Sequence, residues 1–424
     1  MNILIKGGRV IDPKNKIDAV MDILLENGKI SKIAKNITTK TETFIDAHGK
    51  IVAPGIVDMH VHLREPGRED KETVSSATAA AASAGVTTVL AMPNTHPAMD
   101  CAENINLLKK IISKSAKINV LICAAISRGR LGQELNDFVK LQKAGALAVS
   151  DDGSSVDSDV LMLAALKAAA KCRLLTICHC EDKSLSCFGV MNTGFNSTRL
   201  GLRGISKASE YKRIERDIKL AEKVKAAVHI AHLSCSESVE IVAKAKKRGV
   251  LVTCETAPHY FSLTEEALLD YDTNKKMNPP LRTPGDLLAI KQGLKDGTID
   301  AIASDHAPHT ENEKNIEFER AEFGVVGLET ELAIAITELV TPGALSFSQL
   351  MQKISLNPSR ILGIDKGTLS IGASADIMIV SADQLWTVEK KKLLSKSRNS
   401  AFLGKQLQGV VDYTICSGKI IFKR

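Results

Sequence analysis

Through the middle of the chain, short runs of Ile, Val, Leu and Ala alternate with longer stretches whose apolar residues return every three or four positions. The first pattern suits a strand buried on both faces, and the second suits a helix with one buried stripe. Strands are predicted at 56–62, 86–92, 118–126, 146–151, 173–180, 227–233, 250–255 and 299–305. Helices are predicted at 73–84, 102–116, 131–144, 157–171, 207–224, 236–248 and 286–295. Most of these helical stretches run into Gly or a short polar turn, as helix stops do. Ser234 and Glu237 have capping-box spacing ahead of the 236–248 helix. Eight strands alternating with helices over roughly 250 residues have the rhythm of a (β/α)8 barrel of the TIM type. A doubly wound open sheet is the competing α/β arrangement. No GxGxxG opens a helix after an early strand, so dinucleotide binding has little support.

Both ends of the chain read differently. Strand patterns without helices occupy 3–6, 8–12, 21–25 and 29–33, and again 376–380, 412–416 and 419–422. The expectation is a small β-sandwich module built jointly by residues 1–53 and 364–424, flanking a barrel at 54–363. The Gly-rich segment 187–204 is long enough to close over a site.

Composition narrows the function classes. Aromatic residues make up only 4% of the 424 positions, so the core must be built from Ile, Leu, Val and Ala. The net charge of +7, from 56 basic and 49 acidic residues, is thin and scattered and argues against nucleic-acid binding. Its densest run, Lys390 to Lys392 with Lys396 and Arg398, reads as a solvated edge. Nine cysteines lack the spacing of a disulfide framework, and residues 1–10 are short, mixed and strand-like rather than a signal peptide. Reduced thiols and a cytoplasmic location are expected. No apolar run is long enough to span a bilayer, so no membrane is expected. Cys178 and Cys180 flank His179, and on a strand they would face away from it, as structural thiols.

Barrel chemistry sits at the carboxyl ends of the strands, and polar residues gather there. His60 and His62 alternate with Met59 and Val61, so both imidazoles project to one side at the end of the first strand. The second strand ends in Pro93-Asn94-Thr95, the fourth in Asp151-Asp152-Gly153, the fifth in His179 and the sixth in His232. The seventh runs into Pro258-His259 and then Asn278-Pro279-Pro280, and the eighth ends in Asp305-His306-Ala307-Pro308-His309. Any one of these has a structural explanation: a satisfied interior histidine, a turn, a rigid loop. Four histidines and two aspartates reaching one rim are a metal site. Nitrogen and carboxylate donors with no convergent thiol suit Zn²⁺ at a catalytic centre. A bridging carboxylate can come from Asp151 or Asp152.

These motifs together, DMHVHLREPG (58–67), MPNT (92–95), SDDG (150–153), HCED (179–182), KMNPPLR (276–282) and SDHAPH (304–309), resemble the class I bacterial dihydroorotases of the amidohydrolase superfamily. PGREDKE (66–72) and LSKSRN (394–399) are also similar to that family. The resemblance implies that His60, His62 and Asp305 hold one metal, that His179 and His232 hold a second, and that Asp152 bridges them. It implies Zn²⁺, one or two per subunit. Related hydantoinases and allantoinases bridge their metals with a carbamylated lysine at the end of strand four, where residues 146–150 offer none. His62, Arg64, Asn94, Asn278, His309 and the backbone of Phe323 and Gly324 would meet the substrate. His259 matches more loosely and receives no role.

The implied reaction is the reversible cyclisation of N-carbamoyl-L-aspartate to L-dihydroorotate in de novo pyrimidine biosynthesis, by zinc-activated hydroxide with Asp305 as general acid and base. Arg64 offers a planar fork that matches a substrate carboxylate; the alternative is an ion pair with Glu65 or Glu69. The resemblance also raises a homodimer and a complex with aspartate carbamoyltransferase as partners. The rival functions are another cyclic amidohydrolase, of hydantoinase or allantoinase type, and a non-catalytic dihydroorotase-like scaffold subunit.

Overall fold

The computed structural model describes residues 2–424; Met1, where the expected module starts, lies outside them. Strands β1 (Ile3–Asp12), β2 (Ile17–Glu26), β3 (Lys29–Ala34), β4 (Thr43–Asp46) and β5 (Ile51–Pro54) open the chain. They join β16 (Ile377–Thr387), β17 (Gln406–Cys416) and β18 (Lys419–Lys423) in a single sheet of order β18-β17-β16-β5-β1-β2-β3, with β4 branching from β1. The branch is possible because β1 carries a register shift between Ile5 and Gly8: residues 3–6 pair with β4, and Arg9 and Val10 pair with β5. Ile3, Ile5, Ile23, Leu25, Ile377, Ile379 and Ile415, from both ends of the chain, form its apolar core. The two halves are also pinned by one carboxylate. Buried Asp12 accepts from the backbone of Lys14 (3.1 Å) and Leu369 (2.8 Å) and from the Thr368 hydroxyl (3.0 Å).

The middle of the chain forms the barrel. Its strands are β6 (Ile56–Val61), β7 (Val86–Ala91), β8 (Asn119–Ala124), β9 (Ala146–Val149) and β10 (Leu175–Cys178). After a flap with the two-residue strands β11 (Met191–Asn192) and β12 (Gly204–Ile205) come β13 (Val228–Ile230), β14 (Val252–Thr256) and β15 (Ala301–Ile302). Among the described residues eight strands run in parallel from β6 to β15, and a bridge from Val61 to His306 brings the two edges together. Helices such as Val74–Ser83, Asp159–Cys172 and Lys207–Val224 cover the outside, with one large apolar cluster between them and the strands. A second cluster of strand residues, among them Met59, Leu90, Cys123, Ile177 and Ala301, fills the interior. Helix starts follow local chemistry: Thr73 with Ser76, and Thr283 with Asp286 behind Pro284, form reciprocal caps. No helix among the described residues is long and apolar enough to cross a membrane.

Several local expectations are corrected. Residues 131–137 are loop, and the helix begins only at Phe138 behind the N-cap Asp137. Leu131 is exposed and only Leu135 packs against the core, so the apolar period there is too short to seat a helix. Ser234 and Glu237 make no capping box. Cys235 occupies the N-cap without a side-chain bond, because the backbone N–H (3.0 Å) and hydroxyl of Ser234 both go to buried Glu210. Strand eight is two residues rather than seven. The 187–204 segment is folded, and Arg282 donates to Asn192 (2.8 Å) and to the Ile205 carbonyl (3.1 Å) at its base.

Asp12→Ala would leave the Leu369 N–H and Thr368 hydroxyl without their buried acceptor. The expected loss is about 2–3 kcal/mol, measured as a lower Tm for the full chain; an unchanged Tm would show that the sheet pairing of β5 with β16 and the apolar core hold the two halves without this carboxylate.

Candidate active site

The site begins with a buried carboxylate that is not itself a donor to it. Asp58, at the heart of β6, accepts from the backbone N–H of His60 (3.1 Å) and of Ser304 (3.2 Å), and from the Ser304 hydroxyl. Burial pushes its carboxyl up to about 6. It joins the end of the first strand to the end of the eighth, so His60 and His62 stand opposite Asp305. His60 donates its Nδ1 hydrogen to Glu255 on β14 (2.8 Å), and His62 donates its own to Asn94 Oδ1 (2.7 Å). Each bond fixes a tautomer and leaves the Nε2 lone pair aimed at the mouth. Burial alone would raise Glu255, but His229, with Nε2 3.4 Å away, and the bond from His60 hold it down at about 2.

The remaining donors arrive from separate loops. Asp152 lies 3.2 Å from His60 Nε2 through Oδ1 and 3.4 Å from His62 Nε2 through Oδ2. Asp305 Oδ1 lies 3.6 and 3.4 Å from the same two nitrogens. His232 Nε2 and His179 Nδ1 are 3.9 and 3.7 Å from Asp152 Oδ1, and 2.8 Å from each other. Of the two adjacent aspartates, Asp152 faces the cluster. Asp151 is turned away to accept the backbone N–H (3.1 Å) and hydroxyl of Ser127. Arg64, His232 and Asp305 all adopt positive φ, of 61°, 39° and 47°. Such backbone is costly for these residue types and gathers where a site dictates side-chain direction.

These donors fit a metal ion. His60, Asp152 and His232 bring ligand atoms within 4.8 Å of one another, as do His60, His62 and Asp305. His60 belongs to both trios and His179 to neither. His60 Nε2 and Asp152 Oδ1 are buried with no hydrogen-bond partner, which is costly unless a cation satisfies them. Cys180 points elsewhere, its thiol 3.5 Å from Asp217, so the donor set is nitrogen and oxygen.

Beside the donors is a cavity of about 280 Å³ whose lining includes His62, Arg64, Asn94, Asn278, His309, Phe323 and Gly324, the full set expected to meet a substrate. Arg64 donates to the Pro308 carbonyl (3.1 Å) and brings Nη2 to 3.3 Å from His309 Nε2. Its ion pair with Glu65 or Glu69 does not form, since those carboxylates accept the N–H groups of Val74 and Gly67. Asn278 donates to Glu181 (3.2 Å). A larger cleft of about 720 Å³ lies behind His309, but it holds none of the metal-fitting donors.

Sequence reasoning missed several residues. Arg130 lines the cavity and donates to the Asp152 carbonyl. Two buried lysines hold the backbone leading to Phe323 and Gly324. Lys276 donates to the carbonyls of Phe318 (2.7 Å), Glu319 (3.0 Å) and Ala321 (2.6 Å), and Lys314 to those of Glu322 (2.7 Å) and Gly324 (3.1 Å). Asn399 accepts the His309 N–H (3.1 Å) and donates to the Gly324 carbonyl (3.0 Å). Lys276 and Asn399 lay inside motifs already singled out. Lys314 and Glu255 carried no local signal. His259 is buried outside the cavity lining, with Nε2 unpartnered, and burial holds it down at about 4.

Comparison with known proteins bears on the fold and the family. The chain superposes on the L-hydantoinase (dihydropyrimidinase) from Arthrobacter aurescens with a TM-score of 0.90 at 24% identity, covering 99% of this chain and 96% of that one. A D-hydantoinase structure gives a TM-score of 0.89 at 22% identity, covering 100% and 95%. At such identities the likeness shows the fold alone. A family profile described as dihydro-orotase-like matches residues 49–238. A dihydroorotase of Elusimicrobium minutum is 52% identical over 99% of this chain and 97% of its own. One of Geobacter metallireducens is 50% identical over 100% of both. With a family profile and full-length relatives in agreement, the chain belongs to the dihydroorotase family.

Proposed function

We propose that the chain catalyses the reversible hydrolysis of L-dihydroorotate to N-carbamoyl-L-aspartate, with zinc as its metal. The observation that carries the reading is the meeting of His60, His62, Asp152, His179, His232 and Asp305 at one mouth, beside an arginine set for a carboxylate. Zinc held by these residues would lower the pKa of water to about 7 and polarise the ring amide carbonyl. Asp305, 3.4 Å from His62 Nε2 in the lining of the cavity, takes the proton of the attacking water. It delivers that proton to the ring nitrogen as the carbon–nitrogen bond breaks, and ring closure reverses both transfers. Asp152 reaches His60 through one oxygen and His62 through the other, and would be the carboxylate shared between two ions if both were bound. Arg64, Asn94 and His309 cradle a substrate carboxylate, with Asn278 and the backbone of Phe323 and Gly324 completing the lining, Gly324 close against His309. On this reading the chemistry belongs to residues 54–363, and residues 1–53 with 364–424 support it. The same reading would place the chain in the cytoplasm, with a second copy or aspartate carbamoyltransferase as the partner to look for.

Turnover of dihydroorotate beside hydantoin and allantoin, together with metal analysis of the purified chain, tests the assignment. Turnover of only the latter rings would move the chain to another cyclic amidase activity. Asp305→Asn is expected to abolish turnover with the fold retained by circular dichroism, and near-normal activity would remove its acid–base role. Arg64→Ala should raise KM far more than it lowers metal content, and unchanged kinetics would exclude it from the cradle. Glu255→Gln should weaken metal binding by about tenfold or more in a chelator competition; equal affinity would make Glu255 a partner of His229 alone.

A further inference from the structure

Arg130 is a cation without a counter-ion in the wall of the substrate cavity. It is half-buried, it forms no ion pair among the described residues, and its buried Nε has no hydrogen-bond partner. Its Nη2 donates to the Asp152 carbonyl, which offers a dipole and not a charge. Burial pulls its pKa below the usual arginine value in spite of Asp152 and Asp151 nearby. The acidic residues of the wall are committed elsewhere: Asp152 and Asp305 turn their carboxylates to the metal-fitting histidines, and Glu322 is exposed. A guanidinium taken out of water is costly unless an anion meets it. Arg64, in the same lining, has no carboxylate partner either.

The backbone is built to send Arg130 into the cavity. Asp151, the aspartate turned away from the metal-fitting cluster, accepts the N–H (3.1 Å) and hydroxyl of Ser127. The Ser127 carbonyl accepts the Arg130 N–H (3.0 Å), its hydroxyl oxygen accepts the Gly132 N–H (2.7 Å), and Asp100 accepts that of Gly129 (2.9 Å). Gly129 and Arg130 both lie in the left-handed region, at φ 56° and 58°. For an arginine that conformation is costly, as it is for Arg64, and it points to a side chain whose direction matters.

Gly153 keeps the space beside Arg130 clear. A Cβ there would come 3.3 Å from Arg130 Nη2 and 3.6 Å from Asn94 Nδ2. Asn94 Oδ1 accepts from His62, so Nδ2 is the end of that amide left to donate to a ligand. Two donor groups therefore border one stretch of backbone that carries no side chain.

We propose that Arg130 is a substrate-binding residue: with Asn94 Nδ2 it takes the substrate carboxylate, as a second guanidinium in addition to Arg64, and so selects carboxylated rings over uncharged ones. The inference rests on the proposed function and deepens it. A ring without a carboxylate leaves both guanidiniums with no anion, and a site whose buried polar groups stay unpaired rejects such a ligand.

The experiment uses the full-length, metal-loaded protein with two variants. Arg130→Gln keeps a donor for the Asp152 carbonyl but no charge, and Arg130→Lys keeps the charge but not the planar fork. In Arg130→Gln, KM for dihydroorotate is expected to rise about tenfold to a hundredfold, the loss of one charge-assisted hydrogen bond. With uniform binding removed, kcat stays within about threefold, and metal affinity in a chelator competition is unchanged. Orotate carries the same carboxylate on a planar ring, and dihydrouracil carries none. The wild-type preference for orotate over dihydrouracil, read as the ratio of their inhibition constants, shrinks by the factor that KM rises. Arg130→Lys falls between wild type and Arg130→Gln. An unchanged KM, or an equal loss of orotate and dihydrouracil, overturns the proposal. Metal affinity that falls while KM holds also overturns it, making Arg130 a support for the Asp152 backbone alone. Should Arg130→Gln fail to fold, the orotate-to-dihydrouracil ratio in Arg130→Lys against wild type decides. Wild type that turns over dihydroorotate beside an indifferent Arg130→Gln sinks this inference and leaves the proposed function standing. Wild type that does not turn over dihydroorotate sinks both.

Discussion

A barrel with its chemistry at the mouth depends on how its first and last strands meet, and here that meeting is a set of hydrogen bonds to Asp58. One carboxylate takes the N–H of His60 from the first strand and both the N–H and hydroxyl of Ser304 from the eighth. His62 continues the seam by donating its backbone N–H to the His306 carbonyl at 2.9 Å. The residues next to these bonds, His60, His62 and Asp305, are the ones whose side chains must converge. A buried carboxylate with three donors is directional and expensive to disturb, which suits a joint on which a metal site is built.

Outward from that joint the structure shows two kinds of support. The metal-fitting histidines are fixed by single acceptors, Glu255 for His60 and Asn94 for His62, each setting which nitrogen is free. The substrate wall is fixed the other way round, by donors that gather carbonyls. Lys276 and Lys314 hold the turn from Phe318 to Gly324, and Asn399 ties that turn to His309. Asn399 comes from the connection between β16 and β17, so the terminal module reaches into the site it flanks. The LSKSRN motif, which had no role when read along the chain, is that reach.

Much of this was legible from local pattern. The strand and helix alternation, the HxH pair, the shared β module and the convergence of four histidines and two aspartates all follow from periodicities of two and about four residues. The failures were also local in origin. The apolar spacing of residues 131–137 was real, but Leu131 faces solvent and only Leu135 meets the core. Ser234 had the spacing of a cap, but buried Glu210 offered its N–H and hydroxyl a stronger acceptor.

What the sequence determined by itself was therefore which residues could do chemistry and at which strand ends they would stand, because side-chain direction within an element is a local property of the backbone. What only the tertiary structure decided was which neighbour each of them answers to. Glu255 meets His60 across 195 positions, Lys71 meets His309 across 238, and Asp151 gives way to Asp152 because Ser127 claims it first. Such pairings depend on packing between distant segments, and nothing in the spacing of residues along the chain encodes the distance between them.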